Sequence, residues 1–241
     1  MKNQNRNWIY ALIVMGLVSI LPNGCTKDNN NNPATEITDA DGNVYTTVTI
    51  GTQVWMVENL RTTKSSDGTP LPLVTDGVAW GALDTPGYCW YNNDEVANKA
   101  AYGALYNWPA AVNACPAGWH LPTDEEYKIL ERNLGMNNTD ADATGWRYSA
   151  LVGGSLKEAG TSHWSLSAGA TNSSGFTALP GGNRDTDVGF NNSLGVYGYY
   201  WSATEDGSSR GWYRRLNNDN GGVHRSSSRK AVGYSVRCLK N

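Results

Sequence analysis

Phenylalanine is nearly missing from this chain: 2 residues in 241, against 10 Trp and 13 Tyr. An interior built from Trp and Tyr brings an N–H or O–H with almost every ring, which suits an aromatic core close to a polar, loop-rich surface. Charge is scarce as well. Asp, Glu, Lys and Arg make up 17% of the residues, and the formal net charge is −3. That balance excludes the basic footprint of a nucleic-acid binder. Histidine occurs three times. His120 and His163 stand beside Trp and His224 beside Val, and no spacing predicts that they converge as ligands. No G-x-S-x-G, H-E-x-x-H or C-x-x-C occurs, so the familiar hydrolase, zinc-peptidase and dithiol sets are lacking. No internal repeat is evident.

The N-terminus carries Lys2 and Arg6, then a run from Trp8 to Leu21 that is apolar apart from Ser19 and the small Gly16. A basic start followed by a short apolar run reads as a signal peptide over residues 1–24. The run is too short to cross a bilayer as a helix of about 20 residues. Gly24 then Cys25 close it as in a lipobox, which marks Cys25 for lipidation. An ordinary cleaved signal with an incidental cysteine is the competing reading, and Pro22 and Asn23 depart from the usual lipobox residues. Residues 25–35 are polar and Asn-rich, too poor in apolar groups to fold, and read as a flexible tether. Lys27–Asp28 resembles the signal that sends Bacteroidetes lipoproteins to the outer face of the outer membrane. The expected address is therefore that face, with membrane contact through the lipid alone.

The remainder, residues 36–241, suits one domain. Between the turn signals Asp41–Gly42 and Gly51–Thr52, residues Val44, Thr46, Val48 and Ile50 predict one face of a short meander. Asp39, Asp41 and Asn43 resemble the start of a calcium loop, but Ile50 stands where the closing Glu belongs, so the reading is a tight turn. Residues 88–108 predict two aromatic strands around a polar loop. Asn107 and Pro109 predict a helix over 108–114, stopped at Cys115–Pro116. Thr123 and Glu126 form a capping box for a second helix, with Tyr127, Leu130 and Leu134 as its buried stripe and Gly135 as its stop. Residues 137–192 read as long loops packed by Trp146, Trp164 and Phe176, with a weak helical signal over 151–157. In the last strand Tyr234, Val236 and Cys238 alternate against Ser235 and Arg237. Besides Cys25 three cysteines remain, Cys89, Cys115 and Cys238. An oxidising compartment predicts one pair and one free thiol.

The segments DADGNVYTTVTIGTQVWMVENLRT, YCWYNND, YGALYNW, CPAGWHLPTDEEY, LKEAG, GFTALPGG, YWSATE and GYSVRC run in order over residues 36–240. Together they resemble the Fibrobacter succinogenes major paralogous domain. Pro109 and Tyr127 depart from it, standing where an aromatic and a Trp are common. The resemblance implies an α+β fold. It would be a C-type-lectin-like domain with two short helices around small antiparallel sheets and long loops, related to formylglycine-generating enzymes. It also implies a Cys115–Cys238 disulfide, leaving Cys89 free. Those enzymes rely on a reactive cysteine pair near the C-terminus, whereas here only Cys238 lies there, so the resemblance does not extend to catalysis.

Two polar stretches are candidate ligand sites. Residues 181–192 offer Asn183, Arg184, Asp185, Asp187 and Asn191, able to bind hydroxyls or calcium. Residues 205–230 offer Trp212, Arg214, Asn217, Asn218, Asp219, His224 and Arg225. From Arg210 to Lys230 six basic residues face Asp219 alone, with Trp212 and Arg214 on one strand face and Tyr213 and Arg215 on the other. An aromatic face with Arg forks suits a sugar ring carrying carboxylate or sulfate. A solvated polar loop is the competing reading of both stretches. The expectation is a non-catalytic module that binds an extracellular glycan or protein, without a cofactor and with nothing to support calcium. A structural component of the envelope that binds a protein partner is the alternative, and an enzyme is the third reading.

Overall fold

A computed structural model describes residues 37–187 and 189–241. The signal peptide expected over residues 1–24, the lipidation expected at Cys25 and the tether expected over residues 25–35 lie outside the described residues.

Strand β1 (Ile37–Thr38) pairs with β2 (Val44–Tyr45) around the Asp39 turn. Asp39 accepts hydrogen bonds from the backbone N–H of Asp41 and Asn43, from the Asn43 amide and from the Tyr45 hydroxyl. Its oxygens serve their own turn, as the turn reading expects. The expected single meander face does not form. Thr46 gives its N–H and its hydroxyl to Glu58, which breaks the chain between β2 and β3 (Thr47–Ile50). Tyr45 is then the buried residue and Val44 is 44% exposed. β3 turns into β4 (Gln53–Met56).

Helix α1 (Gly77–Gly81) buries Trp80. β5 (Tyr88–Cys89) and β6 (Leu105–Tyr106) are the two expected aromatic strands. The polar loop expected between them contains α2 (Glu95–Tyr102), capped by Asp94. The inward residue of α2 is Asn98, which donates to the Tyr91 carbonyl at 2.8 Å. A helix buried on an amide shows no apolar period in its sequence.

Helix α3 (Trp108–Ala114) starts at Asn107 with Pro109 in its first turn and stops at Cys115, as expected. After β7 (Trp119–His120) comes α4 (Asp124–Asn133) with its full Thr123–Glu126 capping box. Tyr127 and Leu130 are buried, while Leu134 is half-buried. α5 (Asn138–Asp142), β8 (Gly145–Arg147) and α6 (Val152–Leu156) follow. The described residues thus hold six short α-helices rather than two. Three long strands, β9 (Tyr197–Glu205), β10 (Arg210–Asn217) and β11 (Val223–Arg229), precede the final β12 (Leu239–Lys240).

Two four-stranded sheets result, in the orders β8-β11-β10-β9 and β3-β4-β12-β7, each antiparallel. The segment before β12 runs between two aromatic cores. Tyr234, Val236 and Cys238 join Trp201, Tyr106 and Trp90 in one. Ser235 and Arg237, expected on a second face, are buried too. Arg237 stands 4.8 Å over the Phe176 ring and donates to the carbonyls of Phe176 and Thr177 at 2.6 and 2.8 Å. Cys115 and Cys238 form a disulfide across 123 residues of sequence. Cys89 is the free cysteine among the described residues, and burial pushes its thiol up to about 12.

Helix α4 docks on the β8–β9 sheet through charge. Asp124 and Glu131 lie two turns apart on its buried face. Asp124 accepts from Arg214 and Arg225, each at 2.6 Å. Glu131 accepts from both terminal nitrogens of Arg147 at 2.6 and 2.7 Å, and from Nε of Arg214 at 2.7 Å. Burial works to raise the Asp124 carboxyl, but Arg225 and Arg214 prevail and hold it down at about 2.

Two outcomes follow for stability. Replacing Cys115 and Cys238 together by Ala lowers the unfolding free energy by about 4–5 kcal/mol, because the reduced chain regains the entropy of a long loop. Urea titration measures it. The Asp124 contribution is complete above its ordinary value of 3.8 and is lost as the pH falls through about 2, since the unfolded chain takes up the proton first. Acid titration of stability shows this loss, and Asp124→Asn flattens it.

Candidate ligand-binding face

Strand register gives the β8-β11-β10-β9 sheet two unlike faces. Arg147, Val223, Arg225, Arg214, Leu216 and Tyr200 share the face under α4. On the opposite face one row of partners crosses all four strands: Trp146, His224, Arg215 and Tyr199. Asn217 and Tyr197 pair next to it, and Tyr213 and Trp201 pair on its other side. The Tyr213–Trp201 end is covered by Tyr234, whose ring lies 5.0 and 4.5 Å from theirs. Toward Trp146, His224, Arg215 and Tyr197 the face is half-buried and then open, with Tyr148 52% exposed at its edge.

Arg215 is the centre of this open end. Its guanidinium lies 5.0 Å from the Trp146 ring, 5.4 Å from Tyr197 and 5.8 Å from Tyr199. Rings around a guanidinium hold it by cation–π attraction and strip its water. It forms no ion pair among the described residues. Its Nε is buried without a hydrogen-bond partner, and so are the Nδ1 of His224 and the Oδ1 of Asn217. Three neighbouring unpartnered polar groups on one face are unusual, since such atoms are nearly always paired. Burial first, then Arg215 and Arg147, holds the His224 imidazole down at about 4, so it is neutral near pH 7. Arg215 therefore supplies the charge of this row, and no carboxylate among the described residues answers it.

The expected site residues divide. Asn217 and His224 lie on the open face, and Asp219 is exposed in the β10–β11 turn. Burial in structural contacts corrects Arg214, Arg225, Asn218, Asn183 and Arg184, and Trp212 is half-buried. Arg214 and Arg225 are buried in the α4 ion network, because their strand face is the covered one. Trp212 shares that face, half-buried, with the Arg225 guanidinium 4.0 Å over its ring. Asn218 is buried and donates to the Ser165 hydroxyl at 2.7 Å. Asn183 is buried, its backbone N–H donating to Ser193. Arg184 is buried against Trp80 and donates to the carbonyls of Val74 and Thr75 at 2.7 and 2.8 Å. Asp185 and Asp187 both pair with Arg229, so the two polar stretches meet at an exposed salt bridge. Asn191 has positive φ in a turn. Trp146, Tyr148, Tyr197 and Tyr199 are the members of the face not anticipated. The period-two run Tyr197, Tyr199, Trp201 carries the signal that would have found two of them.

The family model of the Fibrobacter succinogenes major domain matches residues 48–240. The chain belongs to this family. In this Fibrobacter succinogenes major domain the match begins inside β3, after the Asp39 turn, and takes in every strand of the candidate face. No curated protein and no solved structure matches the chain.

Arg214 and Arg215 are neighbours with opposite roles, and substitution separates them. Arg214→Leu leaves Asp124 and Glu131 short of a partner and costs about 3–5 kcal/mol. Arg215→Leu removes an unpaired cation and stays within about 1 kcal/mol of the wild type. Chemical denaturation of the two variants gives both values.

Proposed function

We propose that this chain is a non-catalytic binding module, held by a lipid on Cys25 at the outer face of the outer membrane, with a C-type-lectin-like fold. The fold reading is supported by the disulfide from the end of α3 to the residue just before the last strand and by small antiparallel sheets joined through long loops. The ligand is an extracellular glycan bearing a carboxylate or sulfate. The observation that carries this reading is Arg215, a half-buried cation walled by Trp146, Tyr197 and Tyr199, its Nε without a partner and with no ion pair among the described residues. An acidic group from outside would satisfy the guanidinium in the forked geometry it prefers. Trp146 and Tyr148, stacked at 6.1 Å, offer a flat apolar surface for the adjoining sugar ring. His224 and Asn217 supply further hydrogen-bonding groups for hydroxyls.

A second reading, an envelope component that binds a protein partner, is favoured by one observation. Tyr148 and Leu151 expose 52% and 54% of their surface side by side over Gly222 and Gly221, next to the same face.

An array of neutral, uronic-acid and sulfated glycans tests the first reading. The acidic members are retained and the neutral ones are not, and Arg215→Leu weakens retention by about ten- to a hundredfold, the worth of a charge-assisted hydrogen bond. A blank array at high protein concentration, together with one dominant protein adduct on crosslinking intact cells, decides for the second.

A further inference from the structure

Lys157 follows α6 and is buried completely. Its ammonium has no carboxylate at ion-pair distance among the described residues. Instead it donates to three backbone carbonyls: Ala168 at 2.9 Å, Asn217 at 2.8 Å and Asn220 at 2.7 Å. Three donors meet three acceptors, so the group is fully satisfied. Those carbonyls come from the loop before Gly169, the end of β10 and the β10–β11 turn. They are oxygens alone, the donor type that a hard cation takes. The Trp164 ring closes the site at 5.4 Å. Burial lowers the amine to about 8, while Asp219 works the other way, so the group is an ammonium at neutral pH.

The surrounding backbones are too close to hold side chains between them. A Cβ on Gly153 would stand 2.1 Å from the Gly222 carbonyl oxygen, and one on Gly154 would stand 2.0 Å from that of Gly169. The carbonyl oxygens of Ala168, Asn217 and Asn220, all within 2.9 Å of one nitrogen, would repel one another if no cation lay among them. The turn they hold carries Asn217, whose unpartnered Oδ1 lies on the candidate face, and Gly221 and Gly222, on which Leu151 and Tyr148 rest.

We propose that Lys157 is the resident cation of these loops: its ammonium fixes the β10–β11 turn as a bound metal ion would, so the neighbouring ligand face is assembled without a divalent cation. Lys157 is a positioning residue. Its bearing on ligand binding rests on the reading of the face given above, whereas the order of the loops does not.

Hydrogen exchange over residues 165–171 and 217–222 is the readout, and it is independent of any ligand. Lys157→Ala raises exchange in both stretches by about a hundredfold, with the amides around the Cys115–Cys238 bond unchanged. Ethylammonium chloride restores protection in Lys157→Ala, and sodium chloride at equal ionic strength does not. Lys157→Met fills the stem cavity, so it exchanges fast with or without ethylammonium. Wild-type protein exchanges equally in EDTA and in calcium chloride. The proposal is overturned if Lys157→Ala keeps wild-type protection, if ethylammonium restores nothing, or if calcium protects 217–222 in the wild type. Should Lys157→Ala fail to fold in either salt, recovery is absent and the proposal fails with it. A blank glycan array sinks the ligand reading and leaves this result standing.

Discussion

The pairing of Asp124 and Glu131 with Arg147, Arg214 and Arg225 decides which side of the β8-β11-β10-β9 sheet is interior. One helix supplies both carboxylates, and three strands supply one arginine each. Charges this deeply desolvated are tolerated only with partners at close range and with every lone pair engaged. Helix α4 must therefore sit over those three strands. With α4 fixed, the opposite face is left to Trp146, His224, Arg215 and Tyr197, and only its Trp201 end is covered by the final segment.

Cations do a second kind of work in this fold. Much of the chain between the sheets is loop, and loop carbonyls have no ladder to bond to, so they need other donors once buried. Arg184 answers Val74 and Thr75, Arg237 answers Phe176 and Thr177, and Lys157 answers Ala168, Asn217 and Asn220. Each of these long side chains threads a stem through apolar or aromatic surroundings and ends on oxygens. A domain with little Phe and few charges thus uses buried basic groups where larger ladders would otherwise do the joining. Against that background Arg215 stands out, because rings surround its stem and head and no oxygen is assigned to its Nε.

Much of this was legible in the sequence, and the limits have physical causes. The caps at Asn107 and Thr123 are local hydrogen bonds between residues three apart, so their helices could be read directly. Helix α2 could not, because Asn98 rather than an apolar stripe faces inward. Strand alternation separated Trp212 and Arg214 from Tyr213 and Arg215 correctly. It could not say which pair faces out, since alternation is symmetrical until another element covers one side. The basic run from Arg210 to Lys230 had the look of a solvated or ligand-facing rim, yet Arg214 and Arg225 find their acids about ninety and a hundred residues earlier in the chain.

The sequence by itself determined the family, the α+β class and the division of β10 into an Arg214 face and an Arg215 face. Each of these follows from residue order or from contacts within a turn or two. Only the tertiary structure decided that Asp124 and Glu131 neutralise three distant arginines, and that Arg215 is left without an anion among the described residues; the Cys115–Cys238 bond that the family resemblance implied is formed. Those outcomes depend on which surfaces are brought together across the fold. Burial is what turns an ordinary surface charge into either a structural pair or an unanswered site.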